Sequence, residues 1–195
     1  MQTTTLSFQN MHVHGTLFTS VLKARHESFI VQRRWDLPAV DGMEFDQYDT
    51  PQSRWIAVHH FDSILAGIRM TPTTARCGIY TYMIRDAQRG LLDSIPSILL
   101  HDDAPVAAHI WEASRVFVAH DVPANLRTQV QANLMSEMVR TAREEGASQI
   151  LGLCPRAWMR WMRRLGYATE HVGPCLDIGG SENQAIMMNL SNSLH

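Results

Sequence analysis

The sequence predicts a mixed α/β fold in a single domain, and three observations carry that prediction. Segments of helical period alternate with short apolar and β-branched runs along the whole chain. The length, 195 residues, falls within the size of one domain and suffices to bury a substantial core. The third observation is the stretch IWEASRVFV at 110–118, which has the content of a buried strand but carries a carboxylate and a guanidinium in its middle. Buried charge is costly unless it is paired or functional. Glu112 and Arg115 stand three residues apart, so a regular strand would send them to opposite faces. If both serve one site, the strand carries a bulge, the irregularity with which sheets re-aim side chains beside active sites.

An apolar fraction of 45%, a charged fraction of 18% and a net charge of −2 describe a compact globule. The near-neutral charge argues against a nucleic-acid binder held by bulk electrostatics and leaves room for local basic faces. Cys77, Cys154 and Cys175 are widely spaced, with no CxxC pair, which is neither a disulfide framework nor a zinc site. The opening MQTTTL has neither a basic n-region nor an apolar h-region, and no apolar run reaches membrane-spanning length. A cytoplasmic protein without stable membrane insertion is expected.

Thr16 is placed to cap a helix in which Phe18, Leu22, Arg25 and Phe29 share one face. Arg25 interrupts that apolar face; by itself it reads as a snorkelling or surface-paired arginine. Trp35 and Pro38 mark the exit from the helix. Residues 36–54 read as loop, and within them EFDQYD at 44–49 interleaves acids with aromatics. Alone, such a run is a solvated loop; it lacks the glycine and the ligand count of a calcium loop. Residues 55–61 and 64–71 read as a hairpin turning at Asp62-Ser63, with Leu65, Gly67 and Arg69 on one face of its second strand. Gly67 leaves room for a close approach to the backbone beside Arg69, although an ordinary polar face is the plainer reading. A short helix is expected over 83–92, ended by Arg89-Gly90. No metal role is assigned to His101 or to the His59-His60 pair.

After a strand at 109–119, Asp121 and Pro123 open a helix that Gly146 stops, with Leu126, Val130, Leu134, Met138 and Ala142 as its buried stripe. Residues 149–154 read as a buried strand. A helix follows over 155–165, with Trp158, Met162 and Leu165 inward and Arg156, Arg160, Arg163 and Arg164 outward. Residues 167–172 and 184–190 are the last expected strands.

This order of elements resembles the GNAT acyltransferase fold, a mixed central sheet flanked by helices, with a V-shaped cleft between two central strands. Here those strands would be 109–119 and 148–154. Fold likeness alone names no substrate. The spaced set Arg25, Phe29, Trp35, Asp46, Asp49, Arg69 in GIRMTPT, and Glu112 and Arg115 in WEASR is more specific. Together these residues resemble the signature of the acyl-homoserine lactone synthases, the autoinducer synthases of bacterial quorum sensing, and the likeness runs from about residue 12 to about 190. Two positions depart from that pattern: Trp55 stands where tyrosine is common and Met70 where leucine is.

The resemblance implies a reaction. The amine of S-adenosylmethionine attacks an acyl thioester, usually borne on acyl carrier protein; its carboxylate then displaces the sulfonium arm, closing a lactone and releasing methylthioadenosine. S-adenosylmethionine is a substrate, and neither a cofactor nor a metal is required. Arg25 and Arg69 are the candidates for the substrate carboxylate, Asp46 and Asp49 for its ammonium or hydroxyls, and Phe29 and Trp35 for its sulfonium or adenine. The attacking amine must lose a proton, so Glu112 is the candidate general base, directly or through a water. Backbone N–H groups of a bulged strand would polarise the thioester carbonyl. Arg115 is expected to fix the acidic loop or Glu112. Val116, Met138 and Gly152 are candidates for the acyl pocket and serve equally well as core. Gly152 replaces a threonine associated with 3-oxo chains, which hints at an unsubstituted chain.

CoA-using GNAT proteins cradle pyrophosphate on a glycine-rich turn that opens the helix after the central strand. The corresponding turn here, DVPANLR at 121–127, holds no glycine and carries an acid. That disfavours CoA and favours a carrier protein, for which Arg156, Arg160, Arg163 and Arg164 form a docking candidate; a solvated basic face is the plainer reading of those arginines. Two other readings stay open: a generic GNAT N-acyltransferase using acyl-CoA on another amine, and a non-catalytic module that binds S-adenosylmethionine or carrier protein.

Overall fold

The structure is a computed structural model that describes residues 1–190. The chain forms two compact units, Met1–Met70 with Arg115–Thr141, and Thr71–Ser114 with the segment from Ala142 onward.

In the first unit, β1 (Gln2–Leu6), β4 (Arg54–His60) and β5 (Ser63–Pro72) pair antiparallel in the order β1-β4-β5. β1 was not foreseen; its threonine run suits a strand whose one neighbour is β4. The β4–β5 hairpin turns at Phe61-Asp62, with Phe61 at φ 52°. α1 (Leu17–Arg25) buries Phe18, Leu22 and Arg25, and Thr16 makes no capping bond with its side chain. The helix then widens into a π-helical turn, His26–Gln32, which carries buried Phe29. Residues 36–54, expected as loop, contain the short strands β2 (Ala39–Val40) and β3 (Met43–Glu44). Asp41 and Gly42 between them both have positive φ, 52° and 70°. That is the two-residue turn whose twist suits a hairpin, and the Asp-Gly pair is its sequence signal. Leu6, Leu17, Phe18, Val21, Leu22, Phe29, Trp55, Ala57, Ile64 and Phe117 form the core.

β6 (Ile110–Val118) has residues in both units. Arg115 sits at φ 56°, the one non-glycine residue inside a strand with positive φ among the described residues. A left-handed residue breaks the two-residue alternation of faces, so the expected irregularity falls at Arg115 itself. α3 (Ala124–Glu144) is tied to β1, where the Thr3 and Thr5 hydroxyls donate to Glu137 and Thr5 shares a hydrogen bond with Thr141. Its stripe rests on Val130, Leu134, Met138 and Ala142; Leu126, expected inside, is 40% exposed because it lies in the first turn.

In the second unit, β7 (Gln149–Pro155), β8 (Ala168–Ile178) and β9 (Ser181–Asn189) extend the order β6-β7-β9-β8. β6 and β7 run parallel from Ile110–Gln149 to Ala113–Gly152, and the ladder ends there while β7 continues to Pro155. β8 and β9 are longer than expected because they form one hairpin turned on Gly179-Gly180, both with positive φ. α2 (Met83–Gln88) is the expected short helix, and α4 (Arg156–Arg164) packs on β7, β8 and β9. Its inward residues are Met159 and Met162; Trp158 and Leu165, expected inside, are half-buried. The helix starts one residue later than expected, after Pro155, and Met159 and Met162 fall at the i, i+3 spacing of one face.

Gly67 allows the Phe117 ring to lie on β5: a Cβ there would stand 2.7 Å from the ring. Gly67→Ala is expected to cost about 1–3 kcal/mol by overpacking, measured as a fall in denaturant midpoint with unchanged slope.

Candidate active site

The polar centre of the first unit is a buried cluster of three arginines and three carboxylates. The π-helical turn begins immediately after Arg25, which ends α1 and is 1% exposed. Glu44 comes from β3, and Asp46 and Asp49 from the turn after it. That turn is self-bonded: the Tyr48 N–H donates to Asp46 Oδ1 at 2.9 Å, and the Asp46 N–H to Asp49 Oδ2 at 2.8 Å. Asx turns of this kind let aspartates fix their own backbone. Arg69 arrives on β5 and Arg115 on β6.

Every carboxylate bridges two of these arginines. Glu44 accepts from Arg25 Nε at 2.6 Å and from Arg115 Nε at 3.1 Å. Asp46 accepts from Arg69 and from Arg115 Nη2, the latter at 2.7 Å. Asp49 takes a two-pronged contact from Arg25, Nη1 at 2.7 Å and Nη2 at 3.0 Å, with Arg69 Nη1 3.1 Å away. Forked pairs of this kind fix geometry as well as charge. The Trp55 indole N–H also donates to Asp49 Oδ1 at 2.7 Å, so the tryptophan that departs from the family pattern is part of the cluster.

The electrostatics follow from that closure. Burial alone pushes the Asp46 carboxyl up, but Arg69 and Arg115 outweigh it and hold the group below the ordinary carboxylate range. Asp49 behaves likewise: burial raises it, and Arg69 and Arg25 pull it far below that range. Burial works against the Arg25 charge, and Asp49 and Glu44 overcome it, leaving its pKa raised.

An aromatic pair adjoins the cluster. Phe29 and Trp35 stack with centroids 5.2 Å apart and planes 12° apart. Trp35 is brought back by its own N–H, which donates to the Phe29 carbonyl at 2.9 Å, after Arg34 at φ 57°. Phe29 is enclosed, with Arg115 5.8 Å from its ring centroid and Phe117 edge-on at 5.9 Å; Trp35 is 41% exposed.

Glu112 lies in the second unit and is fully buried. Its carboxylate takes the Ile84 N–H at 2.7 Å and the Met83 N–H at 3.2 Å, the first turn of α2. Asp86 holds the preceding turn by accepting from the Thr81 N–H and hydroxyl. Of the acyl-pocket candidates, Met138 is buried on α3, Val116 half-buried on β6, and Gly152 half-buried on β7 opposite Ala113. Arg156, Arg160, Arg163 and Arg164 are exposed on α4, and the first three line a groove of about 730 Å³ with His171, Ser181 and Glu182. Among the described residues no group of three or more His, Cys, Asp and Glu side chains is arranged to hold a metal ion. None of the described helices is long and apolar enough to cross a membrane.

Sequence reasoning missed Glu44 and Trp55 as members of the cluster. Glu44 was visible as the first acid of EFDQYD. The indole N–H of Trp55 carried no signal until the fold placed it.

The architecture is that of GNAT-like acyltransferases: an acyl-CoA N-acyltransferase from Pseudomonas aeruginosa superposes with a TM-score of 0.60 at 13% identity, covering 96% of this chain and 98% of that one. The sequence pattern of the autoinducer synthase family matches residues 9–194. The chain belongs to this family of acyltransferases. An acyl-homoserine-lactone synthase of Ralstonia nicotianae is 28% identical over 175 residues, 87% of this chain and 80% of that protein. TofI, solved in a ternary complex with an inhibitor and MTA, superposes with a TM-score of 0.78 at 25% identity, covering 100% of this chain and 95% of that one. BjaI, a CoA-dependent acyl-homoserine lactone synthase solved with SAM and isopentyl-CoA, gives 0.75 at 21% identity, over 95% of this chain and 82% of that one.

Removing one partner leaves a buried guanidinium uncompensated, so Glu44→Gln is expected to cost about 3–5 kcal/mol of unfolding free energy. Because Asp46 and Asp49 have depressed folded-state pKa values, their contribution is complete above the unfolded carboxylate value of about 4 and is lost as pH falls below it. Denaturant unfolding from pH 7 to pH 3 is expected to show wild-type stability flat down to about pH 5 and falling below, with a smaller acid loss in Asp49→Asn.

Proposed function

We propose that the chain makes N-acyl-homoserine lactones in the cytoplasm, transferring an acyl group from an acyl-carrier-protein thioester to the amine of S-adenosylmethionine. The carboxylate of the acylated intermediate then displaces the sulfonium arm and methylthioadenosine leaves. S-adenosylmethionine is consumed as substrate, with no separate cofactor. The observation that carries this reading is the cluster of Arg25, Glu44, Asp46, Asp49, Arg69 and Arg115 beside the stacked Phe29–Trp35 pair, in a chain of this family.

Trp35, with Phe29 stacked behind it, offers an aromatic face to a sulfonium or an adenine, an attraction worth roughly 0.5–2 kcal/mol. Asp46 and Asp49 stay ionised near neutral pH. Asp46 Oδ2, which meets Arg115, is the acceptor for the substrate ammonium or its hydroxyls. Asp49, whose oxygens already take Arg25, Arg69, Trp55 and the Asp46 N–H, keeps that negative charge in place. Glu112 is the general base. The α2 amides of Met83 and Ile84 fix its orientation by donating to its two oxygens. The irregular backbone of β6 at Arg115 supplies N–H groups off the regular ladder to polarise the thioester carbonyl. The acyl chain is assigned to Val116, Met138 and Gly152.

The carrier reading is supported by the exposed α4 arginines and their groove, which suit an acidic protein surface, and by the glycine-free turn before α3. The CoA-dependent neighbour favours a CoA thioester as the second reading. Incubation with S-adenosylmethionine and a panel of acyl-carrier and acyl-CoA thioesters, followed by mass spectrometry, is expected to yield methylthioadenosine and lactone from the carrier-borne donors. An acylated amine without methylthioadenosine would identify a generic N-acyltransferase, and no turnover with any donor a binding module. Glu112→Gln is expected to slow acylation by roughly 10²-fold or more, with S-adenosylmethionine binding little changed. In Arg160→Glu/Arg163→Glu, the KM for carrier-borne donor should rise at least several-fold while that for the CoA thioester does not, read by initial rates.

A further inference from the structure

We propose that Arg33 is the residue that holds the carboxylate of S-adenosylmethionine, a task that the sequence assigns to Arg25 and Arg69. The inference rests on the reading that the Phe29–Trp35 pair receives the nucleoside-sulfonium part of that substrate.

The cluster arginines are already engaged. Arg25 spends its Nε on Glu44 and both its terminal nitrogens on Asp49, and Arg69, fully buried, meets Asp46 and Asp49. A substrate carboxylate that displaced Glu44, Asp46 or Asp49 from these nitrogens would turn a protein carboxylate out of its pair in a buried setting, which is the costly way to break such a network.

Arg33 stands differently. Its guanidinium carbon lies 5.0 Å from the centroid of Phe29 and 5.2 Å from that of Trp35. Among the described residues it makes no hydrogen bond or ion pair. A guanidinium over an aromatic face keeps its N–H edge for a planar anion, and the fork matches a carboxylate. The backbone fixes that posture: Arg34 in the left-handed region and the Trp35-to-Phe29 bond close the turn that carries Arg33 over both rings.

The chemistry of the substrate suits this placement. Only a short methylene chain separates its carboxylate from its sulfonium, so a cation over the rings that receive the sulfonium is within reach of the carboxylate. In the second step a carboxylate oxygen attacks the methylene carbon on sulfur. The C–O bond forms, the C–S bond breaks, and the electron pair stays on sulfur as neutral methylthioadenosine. Arg33 is a positioning residue for that step and a binding residue for the first.

Arg33→Gln, Arg33→Lys and Trp35→Leu in the full chain, each titrated calorimetrically with S-adenosylmethionine and with methylthioadenosine, provide the test. Methylthioadenosine lacks the carboxylate. Arg33→Gln is expected to weaken S-adenosylmethionine roughly ten-fold or more and methylthioadenosine less than about three-fold, with Arg33→Lys recovering part of the loss. Equal weakening of both ligands would overturn the proposal, leaving Arg33 as support for the aromatic pair. No change in Arg33→Gln, with both ligands weakened by Trp35→Leu, would overturn it while the substrate reading stands. No change of either ligand in Trp35→Leu would remove that reading, and the proposal with it.

Discussion

Glu44 reaches Arg25 on one side and Arg115 on the other, and the first unit is arranged around that bridge. Four separate pieces of chain supply the cluster: the end of α1, β3 with the turn after it, β5 and β6. Three guanidiniums can lie this deep only because three carboxylates meet them, with forked geometry and backbone donors taking up remaining lone pairs. Replacing the whole set by apolar groups could cost nothing in stability; removing one member could not. The cluster therefore acts as a registry device. A one-residue slip in β5 would turn Arg69 to the other face and leave Asp46 and Asp49 short of a partner.

Unusual backbone is concentrated next to that cluster. A π-helical turn carries Phe29, and Arg34, Asp41 and Arg115 all have positive φ. Long π segments and left-handed non-glycine residues are uncommon, and each needs surrounding structure to hold it. Here the holders are visible. The Asp41-Gly42 turn is closed by β2 and β3, and the residue after Arg34 is bonded to the Phe29 carbonyl. Arg115 is anchored through its own side chain to Glu44 and Asp46.

The sequence made β4, β5, β6, β7, α2 and α4 legible because each has a strong local pattern bounded by turn residues. It also drew attention to Arg25, which interrupts an apolar helix face, and to Arg69 beside Gly67, but by local pattern alone both read as surface residues, and only the spaced set that resembles the family placed them in a site. It did not reveal the depth of Glu44, since an acid in a polar run looks solvated until the elements that bury it are assembled. β1 was illegible for a similar reason: QTTTL has no amphipathic signal, and its pairing partners, from Trp55 opposite Leu6 to His59 opposite Gln2, lie far along the chain. The π-helical turn cannot be told from an α-helix by periodicity over so few residues. Leu126 misled because apolar spacing extends past the point where the helix, at its first turn, leaves its stripe exposed.

The cluster is charge-neutral as well as buried, three cations against three anions. A neutral set enclosed in protein projects little field beyond the Debye length of about 8–10 Å at ordinary salt. The four α4 arginines are exposed and of one sign, so their field does extend into solvent. In the proposed reading the two substrates thus meet the enzyme under different physical regimes. Capture of the small sulfonium substrate, which meets a neutral cluster and a single further arginine, depends only weakly on ionic strength, whereas the encounter with an acidic carrier quickens in dilute salt and slows in concentrated salt.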